Sequence, residues 1–212
     1  KDASISGSEM ILTPAQSSKN GVAVFKDKVD VTKDFTVDFT FKIEGPFGGG
    51  GADGIIFIAT KYSPSELQSF NTSGKWITNH INNFFYVDFD TYLNGGYDSQ
   101  AHSISIKYPA DQKLALGTAG YLNCNEMVHA NYGSRRMATW NPGNTTTEFH
   151  GTRYVRINYT AATGVWKVYY SQSAIAGEGD VKITHTYKLE NLPADNSKIE
   201  LVEGKYIYLG VS

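Results

Sequence analysis

The chain of 212 residues holds a single cysteine, Cys124, so an internal disulfide is excluded and cysteine usage leaves the compartment open. Basic runs are also missing. Arg135 and Arg136 in "SRRM" form the one basic pair of note, read as solvated surface. Together with a net charge of -2 this argues against nucleic acid as a partner. No apolar stretch approaches the ~18 residues that a membrane-spanning helix needs. The chain opens on "KDASISGSEM" with no signal-peptide pattern, so a secreted protein would be met here already processed. It has no G-x-S-x-G, no Walker loop and no C-x-x-C, and no His–carboxylate set stands near Cys124 in "LNCNE" to activate it. Helical periodicity is absent too, apart from one turn's worth of signal in "SPSELQSF" (63–70).

What is present is ordinary globular composition, 41% hydrophobic with 19% charged, in a chain long enough to bury a core without disulfides. The pattern is β almost throughout. "DFTVDFTFKI" (34–43) puts Phe35, Val37, Phe39, Phe41 and Ile43 on one face and Asp34, Thr36, Asp38, Thr40 and Lys42 on the other. "TRYVRINYTAATGVWKVYY" (152–170) reads as two strands around an "AATG" turn, with Gly164 placed for positive φ. Further strands are expected at "SEMILTP", "GVAVFKD", "GIIFIAT", "NFFYVDFD", "HSISIKY", "VKITHTYKL" and "KYIYLGV". Many short strands without helical crossovers indicate an antiparallel sandwich or barrel. No repeat or linker interrupts the pattern, so residues 1–212 read as a single domain.

The chemistry concentrates in "DFDTYLNGGYDSQAH" (88–102). In an extended strand Asp88, Asp90, Tyr92 and Asn94 share a face, and Asp98 and His102 follow across a Gly-Gly turn. Phe85, Val87 and Phe89 then belong to the core face. Same-face carboxylates lie about 6–7 Å apart along a strand. At an effective dielectric near 20 their repulsion is roughly 2–3 kcal/mol. A bound cation reverses that sign. Asp, Asn and a backbone carbonyl suit calcium, and adding His102 suits a transition ion such as manganese. For an Asp-x-Asp alone, a solvated strand end is the plain alternative; the full Asp-x-Asp-x-Tyr-x-Asn-x3-Asp-x3-His array is far more specific. Upstream, "GPFGGGGADG" (45–54) reads either as a flexible surface loop or as backbone that passes close to something at Asp53.

Paired carboxylates on a sandwich strand also occur in glycosidases as acid and nucleophile. The Glu-x-Asp-x-x-Glu pattern of such enzymes would fall on Asp88, Asp90 and Leu93, which removes both glutamates.

These segments resemble the L-type lectins, the family of the legume seed lectins, over nearly the whole chain. "DASISGSEMILTPAQSSKNGVAVF" is similar to the family's early strands, and "DFTVDFTFKI" to the strand before the first binding loop. "GADGIIFIAT" resembles that loop and "YVDFDTYLNGGYDSQAHSISI" the metal-binding segment. "VRINYTAATGVWKVYY" resembles the later hairpin, and "KYIYLGVS" the strand that leads to the last binding loop. The resemblance implies an all-β, curved antiparallel sandwich of the concanavalin A-like, jelly-roll type. It implies calcium at Asp90, the Tyr92 carbonyl, Asn94 and Asp98, and a transition ion at Asp88, Asp90, Asp98 and His102. Asp53 and Asn94 would hydrogen-bond sugar hydroxyls, the Tyr92 ring would stack on the sugar, and a backbone N–H near Gly74 would complete the pocket. The Ala52–Asp53 bond is expected to be cis.

Three features depart from the family pattern. Asp88 stands where legume members carry Glu, the step from Asp98 to His102 is shorter than in many members, and the family's first and last strands are not represented. The expected partner is a glycan, with no nucleic acid and no membrane span, in a homo-oligomer or a longer parent chain. The expected setting is secreted or cell-surface, and no catalysis is implied. The alternatives are a glycan-acting hydrolase on the same sandwich, or a calcium-stabilised adhesion domain without an active pocket.

Of the remaining candidates, Trp76 and Trp140 could serve as sugar platforms, whereas Trp166 reads as core. His129, His150 and His185 read as ordinary surface or core residues. Sequons at Asn71, Asn144 and Asn158 permit a secretory origin without demonstrating it.

Overall fold

The computed structural model describes residues 2–14, 16, 19–43, 54–69, 84–90, 103–107, 127–128, 135–136, 139–140, 151–176, 183–188 and 202–212. In chain order the elements begin with β1 (Ser4–Ser6), β2 (Glu9–Ile11), β3 (Ala23–Val24), β4 (Val29–Asp30) and β5 (Phe35–Phe41). Next come β6 (Gly54–Thr60), the helix α1 (Pro64–Ser69), β7 (Phe84–Asp90) and β8 (Ser103–Lys107). The short strands β9 (Met127–Val128), β10 (Arg135–Arg136) and β11 (Thr139–Trp140) precede β12 (Arg153–Thr160) and β13 (Val165–Ser171). The last two are β14 (Ile183–Lys188) and β15 (Tyr206–Val211).

Two antiparallel sheets carry the fold. The larger runs β11-β8-β7-β6-β15-β3, with β4 also paired to β15, and the smaller runs β14-β13-β12-β5. Among the described residues every pairing in these sheets is antiparallel, as expected of alternating strands without crossover helices. Past the end of β15 the ladder to β6 continues, because Ser212 exchanges both backbone hydrogen bonds with Ile56, at 2.8 and 2.9 Å.

The core lies between the sheets. Phe41, Val155, Ile157, Tyr159, Trp166, Val168 and Tyr170 from the smaller sheet meet Phe57, Ala59, Val87, Phe89, Ile207 and Leu209 from the larger. The alternation in β5 appears as expected: Phe35, Val37, Phe39 and Phe41 pack on this core while Thr36, Asp38 and Thr40 are exposed. Rings lock the two sheets together. Phe39 stacks on Phe57 with centroids 5.9 Å apart, and Phe41 lies 4.8 Å from Phe89. Trp166 is fully buried and meets Phe35 edge-on at 5.3 Å, the core role read from its position.

The β12–β13 hairpin closes as its sequence demands. Gly164 has φ +64° and donates its N–H to the Thr160 carbonyl at 2.8 Å, and Ala161 N–H donates to Asp34 Oδ1 at 2.8 Å. On the outer face of the smaller sheet Arg156 forks onto Asp38, with Nε and Nη2 at 2.7 and 3.0 Å from the two carboxylate oxygens. The tract "SPSELQSF" forms one short helix. Ser63 and Glu66 close a capping box, Ser63 N–H donating to Glu66 Oε2 at 2.7 Å and Glu66 N–H to Ser63 Oγ at 3.3 Å.

The structure adds the short strands β1, β4, β9, β10 and β11, which the sequence reading did not name, and differs from it in two further ways. "SEMILTP" supplies only Glu9–Ile11 to a strand, and among the described residues that strand pairs with β1 alone, outside both sheets. The apolar residues of this hairpin stay in solvent, with Ile5 of β1 82% exposed and Met10 and Ile11 of β2 52% and 38% exposed. The second difference is a second apolar layer. Ile56 and Ile58 face away from the main core and are covered by Leu67 of α1, Val22, Val24 and Tyr62. β6 is therefore buried on both faces, which is why "IIFIA" is continuous rather than alternating.

Candidate functional site

The segment that carries the acidic array enters on β7, and its register is held by packing. Val87 and Phe89 are both 0% exposed in the core between the sheets, with Phe89 against Phe39 and Phe41. Alternation then assigns positions 88 and 90 to the opposite face of the larger sheet. A slip of one residue would bring the carboxylates to the core face and the phenyl ring out, so this register is strongly specified.

The neighbours of β7 on both sides extend the same row. Asp88 lies between Ile56 of β6 and Ser105 of β8, and Asp90 lies between Gly54 and Ser103. Neighbouring strands sit about 4.8 Å apart, so Gly54, Asp90 and Ser103 span roughly 10 Å at one end of the sheet. Gly54 has φ +124°, a backbone conformation suited to glycine. It is the last residue of Ala-Asp-Gly and the first of β6.

Asp53 and His102 are the residues bonded to Gly54 and Ser103. They, together with Gly74, Tyr92, Asn94 and Asp98, lie outside the described residues, as does the Ala52–Asp53 bond. Asp88 and Asp90 are described through their backbone positions. Among the described residues no group of three His, Cys, Asp or Glu forms a metal-binding cluster. Cys124, His129, His150 and Trp76 lie outside the described residues, while Trp140 pairs with Ile104 and His185 stands opposite Val168 in the ladders.

What the sequence reading missed is the apolar layer beside the row, on the same face of the larger sheet. Ile56 is the cross-strand neighbour of Asp88 and belongs to the second apolar layer with Ile58 and Leu67. The signal was available in the unbroken apolar run of β6.

No family model and no curated protein matches the chain. Solved structures do. A winged bean acidic lectin, complexed with methyl-α-D-galactose, is similar with a TM-score of 0.56 and 19% identity, over 99% of this chain and 80% of that one. Lectin II from Ulex europaeus is similar with a TM-score of 0.60 and 17% identity, over 99% and 80%. The exoplasmic/lumenal domain of VIP36, in a metal-free form, gives 0.58 and 15%, over 99% and 74%. The architecture is thus the curved, all-β sandwich of the concanavalin A-like class. More narrowly, it is the fold shared by the legume lectins and VIP36, and at these identities the likeness is one of fold.

Proposed function

We propose that residues 1–212 form one non-catalytic, metal-dependent glycan-binding domain, acting outside the cytoplasm in recognition or adhesion. The observation that carries the reading is the row Gly54–Asp90–Ser103, with Gly54 at φ +124°. That row joins the three segments holding Asp53, the 90–98 array and His102 at one end of one sheet.

The donor chemistry fits cations. Asp90, the Tyr92 carbonyl, Asn94 and Asp98 would hold calcium, and Asp88, Asp90, Asp98 and His102 a transition ion such as manganese. Positions 88 and 90 on one face, with Val87 and Phe89 buried on the other, support this. A bound cation supplies the positive charge that offsets the carboxylate repulsion.

Asp53 accepts hydrogen bonds from sugar hydroxyls, and the Asn94 amide can both donate and accept. The Tyr92 ring offers an apolar plate to the C–H face of the sugar, and a backbone N–H near Gly74 donates. Ordering Asn94 before the ligand arrives lowers the cost of binding a weak, wet ligand. The hydrolase reading is disfavoured because Asp88, Asp90 and Leu93 stand where Glu-x-Asp-x-x-Glu is needed.

The test is a glycan array with calcium and manganese, followed by calorimetry of the best ligand in metal and in excess chelator. Binding in metal and none in chelator, by a chain that remains folded, is the expected result. An empty array at saturating metal, or equal affinity in chelator, overturns the proposal.

A further inference from the structure

We infer that Asn158 is an N-glycosylation site, so that a glycan covers the outer face of the smaller sheet. The inference rests on the extracytoplasmic reading above, and it assigns to Asn158 a role that the binding rim does not use.

Asn158-Tyr159-Thr160 lies on β12, where the fold settles which residues face out. Tyr159 is buried, 5% exposed, and its hydroxyl donates to the Val31 carbonyl at 3.0 Å in the core. Strand alternation therefore puts Asn158 and Thr160 on the outer face, Asn158 half-exposed and Thr160 exposed. Asn158 stands in a cross-strand row between Thr36 and Lys167.

The amide is used on one side. Its Oδ1 accepts a hydrogen bond from Thr36 Oγ1 at 3.0 Å, and Nδ2 donates none within the described residues. Nδ2 is the atom that glycosylation uses. Beside it lies a shallow cavity of about 450 Å³, lined by Asp34, Phe35, Thr36, Asn158, Tyr159 and Thr160. The short side chains of Thr36 and Thr160 leave room there for a branched substituent.

The donor is a polyprenyl-diphosphate-linked oligosaccharide. Nδ2 bonds to the anomeric carbon, the anomeric C–O bond to the diphosphate breaks, the amide loses one proton, and the polyprenyl diphosphate leaves. The glycan then stands over the Thr36–Asn158–Lys167 row and keeps that face from packing against another molecule. The Gly54–Asp90–Ser103 end belongs to the other sheet and is left uncovered.

The test directs the full 212-residue chain into the secretory pathway of a eukaryotic host with a cleavable leader. The protein, recovered from the medium or from the endoplasmic reticulum, is digested with peptide N-glycosidase in heavy-oxygen water and mapped by mass spectrometry. The expected result is heavy-oxygen aspartate at position 158 in most molecules. Thr160→Ser should keep that label. Thr160→Ala and Asn158→Gln should each lose it, with thermal unfolding showing that the variants fold. An unmodified Asn158 peptide overturns the inference, whatever the state of Asn71 and Asn144. Glycan binding is read separately by calorimetry, so failure at Asn158 and failure of the lectin reading are distinct results.

Discussion

Gly54 and Asp90 face each other across the β6–β7 ladder, one at the first residue of its strand and the other at the last. The glycine sits at φ +124°, and its partner is the residue proposed to serve both ions. Replacing Gly54 by alanine forces an L side chain into a conformation it rarely adopts, at a cost of about 1–3 kcal/mol. Gly54→Ala should therefore lower the melting temperature by several degrees and weaken glycan binding at least tenfold. Calorimetry and thermal unfolding on the same preparation check both effects.

Loss of the cation should disable the rim before it unfolds the sandwich. The segment proposed to hold it leaves the larger sheet at Asp90 and rejoins it at Ser103, whereas the sheets are held together by Phe39, Phe57, Phe89 and their neighbours. Calcium should raise the melting temperature in a concentration-dependent way, since it binds the folded state. Asp53→Ala and Asn94→Ala should each weaken glycan binding by about 1–3 kcal/mol. Asp90→Ala should do more. It removes a shared ligand of both ions, so its titration with calcium should show no thermal shift.

The core makes a separate prediction. Ile157 is fully buried, and Ile157→Ala should cost about 2–5 kcal/mol by emptying space between the sheets. Tyr159→Phe should cost about 1–3 kcal/mol, because the Val31 carbonyl loses the hydroxyl that donates to it in the interior. Denaturant unfolding measures both, and neither variant should change affinity for a glycan at the far rim.

Acid should weaken the cap of α1. The Ser63 hydroxyl and then the Ser63 N–H donate to Glu66 and hold its carboxyl below the ordinary glutamate range. A lowered folded value means that the ionised form is favoured in the folded state. The stabilisation is complete above the ordinary value and is lost as pH falls through the folded one. Asp30 behaves alike, held low by the Thr32 hydroxyl and N–H. Glu66→Gln should be less stable than the parent near neutrality, and the difference should shrink as pH drops below about 4. Melting temperatures of the two proteins across an acid series decide this.

Most of the architecture was legible because burial imposes local periodicity. Two-residue alternation in 34–43 marked a strand with one face on a core, and Phe35 to Phe41 pack as that pattern requires. The "AATG" turn marked itself through Gly164, since a reversal at φ +64° favours glycine. The one turn's worth of helical signal in 63–70 marked the place where Pro64–Ser69 forms a helix. Of the candidate site, the spacing of Asp88 and Asp90 and the Ala-Asp-Gly motif could be read, since strand geometry alone puts i and i+2 on one face.

Other features depend on contacts distant in sequence, which no local pattern encodes. That Asp90 lies between Gly54 and Ser103 is a matter of which strands pair and in what register, set by Phe89 meeting Phe39 and Phe41 from the opposite sheet. The burial of Ile56 and Ile58 required Leu67, Val22 and Val24 to arrive on the second face of β6. The exposure of Ile5 and Met10 is the converse case: an apolar strand pattern does not say whether a covering layer exists. Local chemistry determined the strands, the turns and the acidic spacing, because those are fixed over a few bonds. Only the tertiary packing decided which chain segments share the rim, because cross-strand neighbours are chosen by the burial energy of the whole core.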